Sequence, residues 1–370
     1  MVWKKTKILL ENGSLAEAQA PEIISASRST DIPAFYAEWF FNRLKIGYSA
    51  WTNPFNGVRS YVSYENTRFV VFWSKNPRPL LEHLDWLEKP IIAGKQKNKI
   101  HCYIQYTLND YEKEGLEKVP SLDNRIETFK LLVDKLGKGH VIWRFDPMIL
   151  TDQITIDDLL CKVENIGNQL KDYTEKLVFS FADIATYKKV KNNLERSQIK
   201  YQEWTGEGME EFARRLSELN KKNGWNFELA TCGEKEIFTK HGIKKNSCVD
   251  DNLMIRIAHI DADLMKFLGV KICDVRQEAM NELFESVEPI SVPAGAIMLS
   301  AHKYAVKNKD NKDKGQRKLC GCMVSKDIGE YNTCPHQCEY CYANTSKETA
   351  IANYKCAKET QFKSETITGK

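Results

Sequence analysis

Short apolar runs, each rich in β-branched and aromatic residues, alternate with amphipathic stretches over the first two-thirds of the chain. The runs are Ile23–Arg28, Phe69–Lys75, His101–Leu108, Val141–Asp146, Leu177–Asp183 and Phe227–Cys232, and their composition predicts strands. Between them Pro33–Leu44, Pro77–Leu87, Ser121–Leu136, Thr155–Leu170 and Gly206–Lys222 carry apolar residues at helical spacing. Pro33 suits a first helical position, and Thr155-Ile-Asp-Asp158 supplies the acceptor and acids that a helix start needs. Strands that alternate with helices form βαβ units around a parallel sheet, and strands this continuously apolar are covered on both faces. No Gly-rich phosphate loop follows any of them. The expected fold is therefore α/β, a full or partial TIM-like (β/α) barrel rather than a dinucleotide-binding sheet.

At 370 residues the chain has room for two or three domains or for one large barrel. Residues 1–255 read as the barrel strands and helices, with a hairpin inserted at 47–65 whose turn is Thr52-Asn-Pro-Phe-Asn-Gly57. Residues 256–318 read as a helical insertion, over 256–302, followed by a charged loop at Lys303–Lys318 that is solvated or contacts a polyanion. Residues 319–370 complete the barrel, and the polar tail after Lys358 is expected to be mobile. Lys and Arg number 54 against 50 Asp and Glu, a formal charge of +4 that is too mild to imply nucleic-acid binding without a local basic patch. No apolar run approaches the ~20 residues that span a bilayer, and Ile8-Leu9-Leu10 is too short for a signal-peptide core. The expectation is a cytoplasmic protein with reduced thiols and no membrane partner.

Against that background the 11 cysteines become informative. Tyr331-Asn-Thr-Cys334-Pro-His-Gln-Cys338-Glu-Tyr-Cys341-Tyr-Ala-Asn344 sets three of them at Cys-x3-Cys-x2-Cys, close enough to meet on one loop. Three thiolates suit a [4Fe–4S] cluster whose fourth iron is left free to bind a substrate or cofactor.

This motif, with Tyr340 just before the last cysteine, resembles the cluster-binding signature of the radical S-adenosylmethionine (SAM) superfamily, and most closely its spore photoproduct lyase-like branch. Ser29-Thr30-Asp31-Ile32-Pro33, Ser74-Lys75-Asn76-Pro77, Tyr106-Thr107, Leu116-Glu117, Arg125 and Arg144-Phe-Asp146-Pro147 are similar to segments that follow the cysteines in that branch; here they precede them. The resemblance thus implies a circular permutation, with the cluster-binding strand and loop moved to the C-terminus, which a barrel tolerates because its first and last strands are neighbours. The whole sequence also resembles a bacterial family described as a domain of unknown function.

The resemblance implies an enzyme that cleaves SAM reductively, forming a 5′-deoxyadenosyl radical that abstracts hydrogen from an unknown substrate, with flavodoxin or ferredoxin as reductant. It implies cofactor contacts from Thr30, Asp31, Lys75, Thr107, Arg144 and Tyr340, with Asp31 for the SAM amine. Lys75 and Arg144 end apolar strands, so each either binds a carboxylate or forms a structural ion pair, Arg144 with Asp146 or Asp31. Arg28 and Asp183 are weaker candidates of the same kind. His336 either tunes the cluster or faces solvent.

Cys232, Cys248 and Cys320-Gly-Cys322 make a second set, which the permuted barrel brings together as an auxiliary [4Fe–4S] cluster, a tetrahedral zinc site or unligated thiols. Cys102, Cys161, Cys273 and Cys356 read as ordinary thiols. The alternatives to an enzyme of this kind are a non-enzymatic iron–sulfur electron carrier or sensor, and a nucleic-acid repair lyase, which the near-neutral charge disfavours.

Overall fold

The computed structural model describes residues 3–53, 56–234, 238–275 and 292–370. Eight parallel strands form its central sheet: β1 (Ile23–Ala26), β2 (Phe69–Ser74), β3 (His101–Thr107), β4 (Val141–Met148), β5 (Lys176–Phe181), β6 (Glu228–Thr231), β7 (Lys244–Lys245) and β8 (Lys326–Asp327). The order across the sheet is β7-β6-β5-β4-β3-β2-β1-β8, so seven strands follow one another in space as in sequence and the last strand lies beside the first. Lys326 sits opposite Ile24 and Asp327 opposite Ser25. The expected ring is not closed: among the described residues β7 and β8 are the two edges and do not pair. Each is only two residues long, with little backbone to offer across the gap.

All six apolar runs are strands, and period-two alternation sorts their side chains. Ile24, Val70, Phe72, Ile104, Trp143 and Phe179 pack under the outer helices. Ile23, Phe69, Val71, Tyr103, Ile142 and Val178 meet a second core built by residues 248–268 and 305–323. Three helices lie where the spacing predicts them, at Leu122–Leu136, Ile156–Leu170 and Gly206–Lys222, with Ser121, Thr155 and Thr205 capping them. Pro33–Leu44 divides at Tyr36 into Ile32–Phe35 and Ala37–Ile46. Pro77–Leu87 forms only a 3₁₀ turn, Arg78–Glu82, and one α turn, Asp85–Glu88. Helix Lys188–Arg196 escapes a periodicity reading because it buries only Leu194.

The inserted hairpin is present as Tyr48–Thr52 against Arg59–Ser63, although Pro54 and Phe55 of its turn lie outside the described residues. It joins Lys5–Leu9 and Leu15–Gln19 in a four-stranded sheet. The helical reading of 256–302 is corrected. Asp251–Ala258 and Ala262–Leu268 are helices, but Val270–Asp274, Ile297–Ser300 and Lys303–Lys307 form an antiparallel sheet. Gly269, at φ 70°, ends the second helix in the left-handed conformation, and Val-Lys-Ile-Cys-Asp then alternates as a strand does. Residues 276–291 of that insertion lie outside the described residues. The tail is packed rather than mobile: Trp39 Nε1 donates to Ser364 O (3.0 Å), Ala50 N donates to Glu365 O (2.8 Å), and Ile367 is fully buried.

Candidate metal centre

Polar residues that follow β1, β2 and β3 converge on the three-cysteine loop. Asp31 caps the turn after β1 by accepting Ala34 N (3.0 Å), and also accepts Lys75 N (2.7 Å) and His336 Nε2 (2.7 Å). His336 is buried, its Nδ1 3.2 Å from Lys118 O and its ring edge-on to Phe35, so the solvent-facing reading does not hold. Lys75, at the end of β2, donates from Nζ to Glu117 Oε1 (2.7 Å) and Tyr340 Oη (2.8 Å). Asn109 Nδ2 donates to Glu117 Oε1 (2.9 Å) and Tyr340 Oη (3.1 Å), and the Tyr340 hydroxyl donates to Glu117. Burial alone would raise the Glu117 carboxyl, but Lys75 and Arg125 hold it below its ordinary value; burial likewise opposes the Lys75 ammonium, which Glu117 raises. Lys75 and Glu117 are therefore an ion pair.

Cys334, Cys338 and Cys341 come from one loop and lie within electrostatic range of each other. Burial pushes the Cys334 thiol up to about 12, and the Cys338 thiol well above its ordinary value despite Lys75 nearby. Cys341 Sγ accepts Asn344 N (3.3 Å), and Asn344 Nδ2 donates to Cys334 O (2.8 Å), which ties the loop's ends. Among the described residues no three His, Cys, Asp or Glu side chains are placed to hold a single metal ion. A polynuclear cluster asks for less convergence, since each thiolate binds a different iron.

The second set is also drawn together. Cys232 Sγ lies 3.2 Å from Cys248 Sγ, and Cys322 is within hydrogen-bonding reach of both Cys248 and Cys320. Arg144 serves this set: Nη1 donates to Cys248 Sγ (2.9 Å) while Nη2 pairs with Asp146. Asp146 N in turn donates to Asn109 Oδ1 (2.9 Å), so one polar chain, buried except at Asp146, runs from Cys248 through Arg144, Asp146 and Asn109 to Tyr340.

Thr30 Oγ1 donates to Glu330 O (2.8 Å) and meets the Thr333 hydroxyl, docking the start of the cysteine loop on the β1 turn. Thr107 ends β3 opposite Arg144. Of the residues named from sequence for the cofactor, Asp31, Lys75 and Tyr340 meet at the loop, Thr30 lies at its base, and Arg144 belongs to the other thiols. Arg28 joins it there, beside Cys322, and Asp183 Oδ1 accepts Thr186 N (3.3 Å) in the turn after β5. Asn109 was not foreseen; its signal was a polar residue two positions beyond an apolar strand.

Glu330, at the base of the loop, is raised to about 7 by burial, against Thr52 N–H, Arg59 and Lys370. A carboxyl raised on folding stabilises the fold below its unfolded value and loses that contribution as pH rises through the folded one. Glu330→Gln does not titrate. Its stability relative to the parent should therefore increase between pH 5 and pH 8, by about 1–3 kcal/mol in urea unfolding. A pH-independent difference would contradict this.

A family model described as "Domain of unknown function (DUF1848)" matches residues 23–343, from β1 through the last of the three clustered cysteines. No curated protein and no solved structure matches the chain. With its sheet and both thiol sets inside the matched span, this chain belongs to the DUF1848 family.

Proposed function

We propose that the protein is a radical SAM enzyme built on a circularly permuted, partial β/α barrel, with a [4Fe–4S] cluster held by Cys334, Cys338 and Cys341. The observation that carries the reading is the seating of this loop. Its His336 and Tyr340 lock onto Asp31, Lys75, Asn109 and Glu117, which follow three successive parallel strands, and parallel β/α folds keep their active sites at those strand ends. The adjacency of β8 and β1 supports the permuted order. When bound, a cluster with an open iron supplies the electron that cleaves SAM.

The chain's own residues have separate tasks. Lys75 and Glu117 fix the Tyr340 hydroxyl and so the turn that carries Cys338 and Cys341, while Asp31 fixes His336 between Cys334 and Cys338. Asp31 already accepts three donors, which makes it a positioning residue for the loop and leaves little of its carboxylate for the SAM amine. Glu117 Oε2 is buried without a hydrogen-bond partner.

Anaerobic reconstitution tests the reading. The loaded protein should hold about four iron atoms on this loop, lost when Cys334, Cys338 and Cys341 are all changed to Ala, and dithionite with SAM should yield 5′-deoxyadenosine. A triple variant that binds as much iron as the parent would remove the cluster assignment. A loaded protein that never cleaves SAM would instead be an electron carrier.

A further inference from the structure

We propose that Cys232, Cys248, Cys320 and Cys322 are the ligands of a second metal centre, a closed four-thiolate site that takes a zinc ion or an iron–sulfide cluster and offers substrate no open position. The inference does not rest on the function proposed above. The four residues arrive from separate parts of the chain: Cys232 directly after β6, Cys248 after β7, and Cys320-Gly-Cys322 from the segment that leads to β8. Cys248, Cys320 and Cys322 are buried, Cys232 is half-buried, and none is in a disulfide.

The surroundings are those of anionic sulfur. Cys248 Sγ receives Arg144 Nη1 (2.9 Å) and Asn246 Nδ2 (3.1 Å). Cys322 Sγ receives Val249 N (3.4 Å) and a hydrogen bond from the Arg28 side chain. Neutral thiols are weak acceptors, whereas metal-bound thiolates keep negative charge and are commonly steadied by N–H donors around them. Two guanidinium groups and two further N–H groups directed at two sulfurs fit thiolates.

The backbone is shaped to the same end. A Cβ on Gly321 would lie 2.5 Å from Ser247 Oγ and 3.1 Å from Asn246 O, so only glycine lets the Cys-x-Cys turn approach the loop that carries Cys248. Ser247 Oγ donates to Gly321 O (2.8 Å) and fastens the two segments. The thiols stand in a hydrogen-bonded row, Cys232–Cys248–Cys322–Cys320, rather than around one point, so binding a metal turns these side chains toward a common centre. Metal entry replaces S–H···S contacts with sulfur–metal bonds and releases one proton per thiol to solvent, with no change in sulfur oxidation state.

The test uses full-length protein in which Cys334, Cys338 and Cys341 are all Ala, so that metal on the other loop cannot be counted. After anaerobic purification it should retain about one zinc, or about four irons with matching acid-labile sulfide, per chain. Either content supports the proposal and tells the two centres apart. Adding Cys248→Ser should reduce the retained metal at least tenfold, whereas Cys356→Ser should not change it. Should the Cys248 variant not fold, alkylation of the parent protein decides: the four thiols should resist N-ethylmaleimide while exposed Cys161 reacts, and become reactive once a chelator strips the metal. A folded, metal-free triple variant, four thiols that alkylate as fast as Cys161, or a Cys232–Cys248 disulfide in their place overturns the proposal.

Discussion

Glu117→Leu is expected to destabilise the protein by about 3–5 kcal/mol, the usual cost of removing one partner from a buried ion pair. Glu117 is almost fully buried, and its carboxylate is the shared acceptor of Lys75, Asn109 and Tyr340, with Arg125 Nη1 facing it at 3.9 Å. Leucine fills similar volume but leaves the Lys75 ammonium without its carboxylate and Arg125 without a facing anion. Glu117→Gln keeps an oxygen for those donors and loses only the charge, so it should cost less than the leucine variant. Urea unfolding of both variants measures the difference. If Glu117→Leu shifted stability by less than about 1 kcal/mol, the pair would have to be solvated and the tightness assigned to this corner would be wrong. Because Tyr340 depends on the same carboxylate, iron retention on the Cys334–Cys341 loop should fall along with stability.

The second large effect is steric. A Cβ at Gly329 would stand 1.9 Å from Ser27 Oγ, 2.7 Å from Ser27 Cβ and 2.8 Å from Ser29 Oγ, where the segment after β8 crosses the turn after β1. Ser27 cannot yield freely, since its Oγ accepts Ser29 N (3.0 Å) and Thr30 N (3.2 Å). Gly329→Val should therefore lift the C-terminal segment from the sheet, cost about 1–3 kcal/mol or more, and open residues 330–345 to protease. Gly329→Ala combined with Ser27→Gly removes the two closest contacts and should recover much of the loss. Equal protection of parent and Gly329→Val against protease would refute the crossing.

Local signals made much of this architecture legible. The six strands were readable because strands covered on both faces carry near-continuous apolar runs, and three helices because their apolar residues recur at helical spacing, with Thr155-Ile-Asp-Asp158 marking one start. Elements defined by long-range contact were not readable. The tail reads as polar and loose, yet Trp39 and the hairpin hold it. The antiparallel sheet within 270–307 was hidden because its strands are half-exposed and separated along the chain. At the candidate site, cysteine spacing singled out the Cys334–Cys341 loop, strand-end positions singled out Lys75 and Arg144, and the family resemblance singled out Asp31. Their partners depend on packing: Lys75 turned to Glu117 and Arg144 to Cys248, choices that no spacing rule contains.

Asp327 accepts Ser25 Oγ across a separation of 302 residues. A contact that distant in sequence forms late, since loop closure must precede any reward for it. During synthesis the ribosome delivers the strands of the sheet long before the three cysteines that dock at their ends. If the proposed cluster occupies the Cys334–Cys341 loop, its loading is a finishing step, carried out on a floor already laid.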